Sequence, residues 1–194
     1  SHMGRIPYEE VYFSSRYIEG AMLTYLRKLN LVAPSKRHDA SYDDSAGRFS
    51  GAYVKDPNPG RYEWVYDLDL TSMYPSTIMS LNISPETKIG KLAGWDAEEF
   101  IRGDQKTYSF FQGKEKIRSF STGELKDFFN KNEVSVASNG VVYKTSQRGI
   151  IPAILEKWFN ERVEYKGLSK KYGKEGNDEL HGYFDRRQYV QKIL

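Results

Sequence analysis

The sequence predicts an α+β fold in which antiparallel strands with helices lead into an antiparallel pair of helices. Three observations predict it. Val65 to Leu70 alternates apolar and polar residues, then turns through Thr71 and Ser72 into a helix-like stretch, Tyr74–Met79. Asn139-Gly140 sits inside Val134–Lys144, and such a pair favours a two-residue hairpin turn because both central positions need positive φ. Ile151, Ile154, Leu155, Trp158, Phe159 and Val163 recur at three- and four-residue spacing, the apolar stripe of a helix, and a polar break follows them.

Composition narrows the function classes. A chain of 194 residues makes one large domain or two small ones. Only 39% of it is hydrophobic and 28% is charged, so the core is modest and the chain reads as a piece that leans on something else. A net charge of +3 permits nucleic-acid binding without requiring it. With no cysteine, neither a disulfide frame nor a thiolate zinc site is available, and three scattered histidines offer no His-based metal site. No apolar run is long enough for a membrane span and no signal peptide is visible, so a soluble, cytoplasmic protein with no membrane partner is expected.

Taken in order, Ser1-His2-Met3 (1–3) reads as a tag remnant, and 4–48 as an N-terminal helix and connector. The helix is predicted over Tyr12–Asn30, with Ser14 or Ser15 as cap, Ile18, Met22, Leu26 and Leu29 on one face, and Pro34 ending it. Ser35–Arg48 is polar and aperiodic, a loop. Strands are predicted over Phe49–Val54 and Arg61–Leu70, joined by a turn at Asp56–Gly60. A helix over Pro75–Leu81 is broken by Asn82–Thr87. Residues 91–147 hold core material such as Trp95, Phe100 and Phe120 without a clean period, a short helix over Glu124–Asn130 capped by Thr122, and the hairpin. From Gly149 a helix with Pro152 in its first turn runs to a break at Lys170–Asn177, and a second helix runs from Asp178 or Phe184 to Leu194.

Chemistry is concentrated where the Arg61–Leu70 strand ends. A carboxylate there supplies oxygen for a hard divalent cation, and the backbone N–H groups of the following turn can face phosphate. A solvated acidic pair is the plainer reading of Asp67 and Asp69 taken by themselves. The whole string Asp69-Leu70-Thr71-Ser72-Met73-Tyr74-Pro75-Ser76 resembles the first palm motif of family B DNA polymerases, D-x-x-S-L-Y-P-S, with Met73 in the Leu place. Asn82-Ile-Ser-Pro-Glu-Thr87 resembles the T4-like phage branch in particular. Arg148-Gly-Ile-Ile-Pro152 resembles the entry to the fingers, and Phe159-Asn-Glu-Arg162 with Lys166 resembles the first fingers helix. Gln188–Leu194 resembles the start of the second fingers motif.

The resemblance implies a palm over 49–148 and fingers over 149–194. It implies that Asp69 ligates two catalytic Mg²⁺ ions with the Leu70 carbonyl joining at one of them, while Asp67 is structural. Ser72 and Met73 would offer amides to the triphosphate, and Tyr74 would stack under the sugar and exclude a 2′-hydroxyl. Arg162, Lys166 and Lys192 would meet triphosphate oxygens. The implied partners are primer–template DNA, a dNTP and the polypeptide that carries the rest of the palm, thumb and exonuclease. The similarity stops before N-S-x-Y-G and no D-T-D motif follows, so the resemblance implies a cut or split DNA polymerase, inactive alone. Two rivals are a non-catalytic module that binds DNA or a replisome partner, and a metal-dependent transferase using Asp67-Leu68-Asp69.

Overall fold

The computed structural model describes residues 5–33 and 53–193, with the side chains of Ser14, Lys192 and Ile193 outside the described set. The predicted loop at Ser35–Arg48, Pro34, and most of the predicted strand Phe49–Val54 fall outside it.

A short 3₁₀ turn, Tyr8–Glu10, leads into α1, Ser14–Lys28. Phe13 is the N-cap residue and gives no side-chain hydrogen bond, so neither Ser14 nor Ser15 caps the helix as predicted. The helix closes two residues earlier than expected. Leu29 bonds back to Tyr25 and Leu26, and Asn30 turns left-handed at φ 54°. Ala21 and Leu26 are buried on its inner face.

Residues 53–70 are extended, irregular and exposed throughout. The predicted strand Arg61–Leu70 is therefore not formed, nor is Tyr53–Val54 part of one. Pairing is what makes a strand: its N–H and C=O groups must meet those of a neighbour, and no described strand lies beside this segment. The period-2 pattern is present; the partner is not.

Helix α2, Met73–Leu81, starts two residues before the predicted Pro75 and sits between two left-handed residues, Ser72 at φ 50° and Asn82 at φ 55°. The stretch Asn82–Thr87 then ends the helix as expected. Beyond it a five-stranded antiparallel sheet forms from β1 (Lys88–Ala93), β2 (Thr107–Gln112), β3 (Glu115–Ser121), β4 (Val134–Val136) and β5 (Val141–Lys144), in the order β3-β2-β1-β5-β4. Helices α3 (Ala97–Arg102) and α4 (Thr122–Asn132) accompany it. Leu92, Tyr108, Phe120, Leu125 and Val142 form the core, with Trp95, Phe100, Phe128 and Phe129 packed around them. Gly90 is required here, since a Cβ would overlap the Phe110 ring.

The β4–β5 hairpin turns through Asn139-Gly140 as predicted, but not as a two-residue turn: of the pair only Gly140 has positive φ, at 80°, the Gly140 N–H bonds to the Ala137 carbonyl, and the Asn139 Oδ1 accepts the Val141 N–H at 3.1 Å. The cap of α4 differs from expectation. Ser121 is the N-cap, in a reciprocal capping box with Glu124. Thr122 is drawn away because its hydroxyl donates to the Asp104 carbonyl at 2.7 Å, tying α4 to the start of β2.

Helix α5 runs from Ile150 to Lys174 and α6 from Asp178 to Ile193. The predicted break at Lys170–Asn177 shrinks to Glu175–Asn177, with Gly176 at φ 71°. Contacts with α6 hold the last turn of α5 helical: Tyr172 stacks on Phe184 at 5.7 Å, and His181 Nδ1 lies 2.9 Å from the Ser169 carbonyl. With Glu161 bonded to Gln191 and Arg187 over Tyr165, these pairings run in opposite chain directions, so the two helices are antiparallel.

Candidate functional site

The Thr71–Ser72 turn and α2 form the centre of the site. Because Ser72 gives no side-chain cap, and the first N–H groups of a helix have no partner within it, the amides at the start of α2 are open to a ligand. Pro75 removes one of these donors, leaving those of Ser72, Met73 and Tyr74. Ser76 is otherwise engaged: its N–H bonds to the Ser72 carbonyl at 2.9 Å and its hydroxyl to the Thr71 carbonyl at 3.0 Å, which closes the turn. Tyr74 is 70% exposed.

Asp67, Asp69 and Leu70 lie in the extended segment that enters this turn, and all are exposed. No hydrogen bond or ion pair involves either carboxylate among the described residues. Nor is any cluster of three or more His, Cys, Asp or Glu side chains placed there to hold a metal. Carboxylate and carbonyl oxygens suit Mg²⁺, so Asp69 and Leu70 fit the ion as part of a ligand set, to which further oxygens must be added.

Helix α2 packs on α5. Tyr74, Pro75 and Ile78 share a small apolar cavity of about 260 Å³ with Ile151, Ile154 and Trp158 of α5 and with Ile18 of α1. A polar joint fixes the far end of α2. The Asn82 amide, 3% exposed, donates to the carbonyls of Lys144 at 2.7 Å and Gln147 at 2.8 Å, and its Oδ1 accepts the Gly149 N–H at 2.9 Å. Arg148 donates to the Met79 carbonyl, where a cation suits a helix C-terminus, and pairs with Glu156 at 3.0 Å. Glu86 accepts the Ile150 N–H at 2.6 Å and the Ser84 hydroxyl at 2.8 Å. Partial burial pushes the Glu86 carboxyl up, but the hydrogen bonds from Ile150, its own N–H and Ser84 outweigh this and hold it below the ordinary value.

Arg162 is half-buried on α5 and its Nε is sealed without a partner, while Lys166, one turn on, is exposed. Beside Arg162, Glu161 accepts from the buried Gln191 of α6 at 2.7 Å. The backbone of Lys192 belongs to α6; its side chain lies outside the described set. Asn82, Glu86 and Arg148 were not expected as positioning residues from the sequence. The signal available was the density of Asn, Ser, Glu and Thr at Asn82–Thr87, residue types that bond to local backbone.

A family model for DNA polymerase family B matches residues 7–194. The chain belongs to this family. Among family B relatives, the DNA-directed DNA polymerase of Escherichia phage RB69 is 28% identical over 172 residues, 86% of this chain and 15% of that protein. The enzyme of the same name from Enterobacteria phage T4 is 33% identical over 131 residues, 68% of this chain and 12% of that protein. The chain thus spans a small part of the length of the relatives it matches. In fold it is similar to the family B DNA polymerase of the hyperthermophilic archaeon Pyrobaculum calidifontis, with a TM-score of 0.60 and 24% identity over 100% of this chain and 20% of that one. No described helix is long and apolar enough to cross a membrane.

Proposed function

We propose that this chain is the first portion of the palm, residues 49–148, and the fingers helices, residues 149–194, of a DNA-directed DNA polymerase, with 4–48 as a leading helix and connector. The observation that carries this reading is the mounting of the Asp69–Ser76 turn: α2 packs on α5, apolar side chains of both lining one cavity at one end, and the Asn82 joint fixes the other. That mounting gives the open amides and the basic helix face a common frame.

In this reading Asp69 and the Leu70 carbonyl hold Mg²⁺ together with carboxylates from outside the chain. When bound, the ions favour deprotonation of the primer 3′-hydroxyl and stabilise charge on the departing pyrophosphate. The amides of Ser72 and Met73 receive triphosphate oxygens. Tyr74 packs beneath the sugar and leaves no room for a 2′-hydroxyl. Arg162, Lys166 and Lys192 meet the triphosphate from the fingers side, Arg162 with its planar fork and the lysines as point charges. Primer–template DNA, a dNTP and the polypeptide that completes the palm are the partners, in the cytoplasm of a host cell. With one carboxylate of the metal set, the chain does not extend primers unaided.

The test uses the chain complemented by a polypeptide bearing N-S-x-Y-G and D-T-D. Tyr74→Val in that complex is expected to raise ribonucleotide incorporation relative to deoxynucleotide by tenfold or more. An unchanged ratio in a complex that extends primers would remove Tyr74 from the sugar site. DNA binding indifferent to dNTP and Mg²⁺, with no extension, would favour a non-catalytic DNA- or replisome-binding module.

A further inference from the structure

Strand β2 carries three aromatic residues, and the core uses two. Tyr108 is fully buried, and Phe110 packs against Phe120 and Phe128. Phe111 faces the other way. It is half-buried, has no ring partner among the described residues, and lines a depression of about 460 Å³ with Lys91, Leu92, Ala93, Trp95, Gly113 and Asn139. The registers place Lys91 of β1 and Lys116 of β3 directly opposite Phe111 on either side, so the three side chains form a row on one face of the sheet. A register shift between Phe110 and Phe111 re-aims the strand at this point.

The charge on this face is not neutralised. Lys91 and Lys116 make no ion pair among the described residues, and neither does Lys114 in the β2–β3 turn. The arginine and lysine of this sheet region that are paired, Arg118 with Glu124 and Lys106 with Glu99, belong to the α4 side and to the α3 edge. The positions flanking the row on the same face are Ala93, Ser109, Ser119 and Val141, none of them acidic. Glu115 is the acid nearest in sequence, and it pairs across the hairpin with Gln112.

We propose that this face of β1–β3 binds single-stranded DNA, with a base stacked on Phe111 and phosphates held by Lys91 and Lys116. An aromatic platform between cations is what a single strand requires, since every base has a π-face and every linkage a charge. The hydroxyls of Ser109 and Ser119 add hydrogen-bond donors for the backbone. Two unpaired lysines flanking one ring match a strand that carries a charge at every linkage better than an uncharged apolar partner. The inference rests on the polymerase reading for the choice of DNA as ligand, and places a contact for the strand away from the α2 turn.

Fluorescence anisotropy of a labelled dT12 with the 194-residue chain tests it, alongside a base-free abasic 12-mer. Lys91→Glu/Lys116→Glu is expected to weaken dT12 binding at least tenfold at low salt, and to reduce the slope of log K against log salt by about 1.4, since each single-strand phosphate contact contributes roughly 0.7. Phe111→Leu, at a half-buried site, is expected to weaken dT12 about fivefold or more and to leave the abasic strand unchanged. Wild-type affinity in the charge-reversal variant overturns the proposal, as does equal weakening of both oligomers by Phe111→Leu. Circular dichroism confirms that each variant is folded. Asp69→Ala, which ends primer extension in the complemented enzyme, leaves dT12 binding unchanged, so failure of either reading is seen separately.

Discussion

Asn82 holds three backbone groups through one side chain while its own backbone is left-handed. Asn tolerates that conformation because its short polar side chain can bond locally. Asn82→Ala leaves the Lys144 and Gln147 carbonyls and the Gly149 N–H without partners and keeps the strained φ, for an expected loss of about 2–4 kcal/mol, read from the urea midpoint. Glu86 acts on the same joint and adds a pH dependence. Its folded pKa lies below the ordinary value, so its contribution is fully present above about 4.5 and is lost as pH falls through the folded value. Urea midpoints of wild type and Glu86→Gln are therefore expected to differ at neutral pH and to converge in acid. A difference that grows on acidification would contradict the assignment. The turn was legible: Ser72 and Tyr74 lie at a turn and a helix start as the sequence predicts, whereas the strand expected to carry Asp69 is not formed. The joint was not legible, because Asn82 and Glu86 act on Lys144–Ile150, some sixty residues away, and no local pattern reports such a partner.

Among the elements, two whose signals are local in sequence were read correctly, although the caps of α1 and α4 were not. The Asn139-Gly140 turn and the α5 stripe each carry their own instruction. The strand Arg61–Leu70 was misread for the opposite reason: alternation records which faces are to be covered, but the hydrogen bonds come from another strand. Amide exchange over 61–70 is expected to be fast in this chain and to slow by tenfold or more when the completing polypeptide is added, if that polypeptide supplies the neighbouring strand. The sheet between β1 and β5 escaped reading because its strands are short and carry register shifts at Lys88/Gly90 and Phe110/Phe111, which interrupt the period of two. The end of α5 escaped because Gly173 and its lysines read as a break, whereas packing against α6 overrides propensity. The α4 cap gives a direct check at this scale. Ser121→Ala is expected to cost about 1 kcal/mol, while Thr122→Ala also frees the Asp104 carbonyl and destabilises further.

For the whole molecule, two bodies of packing, the aromatic core of the sheet and the helices α1, α2, α5 and α6, are tied by the Asn82 joint and by the Ser135 hydroxyl, which donates to the Leu81 carbonyl. The exposed run from Trp64 to Leu70 adjoins the candidate site, and its apolar side chains are open to a partner. The chain spans 15% of its phage RB69 relative. The central claim is that Asp69 serves a polymerase site completed from outside. Primer extension on a DNA primer–template, with Mg²⁺ and dNTPs, by this chain mixed with a polypeptide carrying N-S-x-Y-G and D-T-D measures it most directly. The account predicts extension by the mixture, none by either component, and a loss of at least a thousandfold with Asp69→Ala. A stable complex that does not extend, or one that extends equally well with Asp69→Ala, would contradict it.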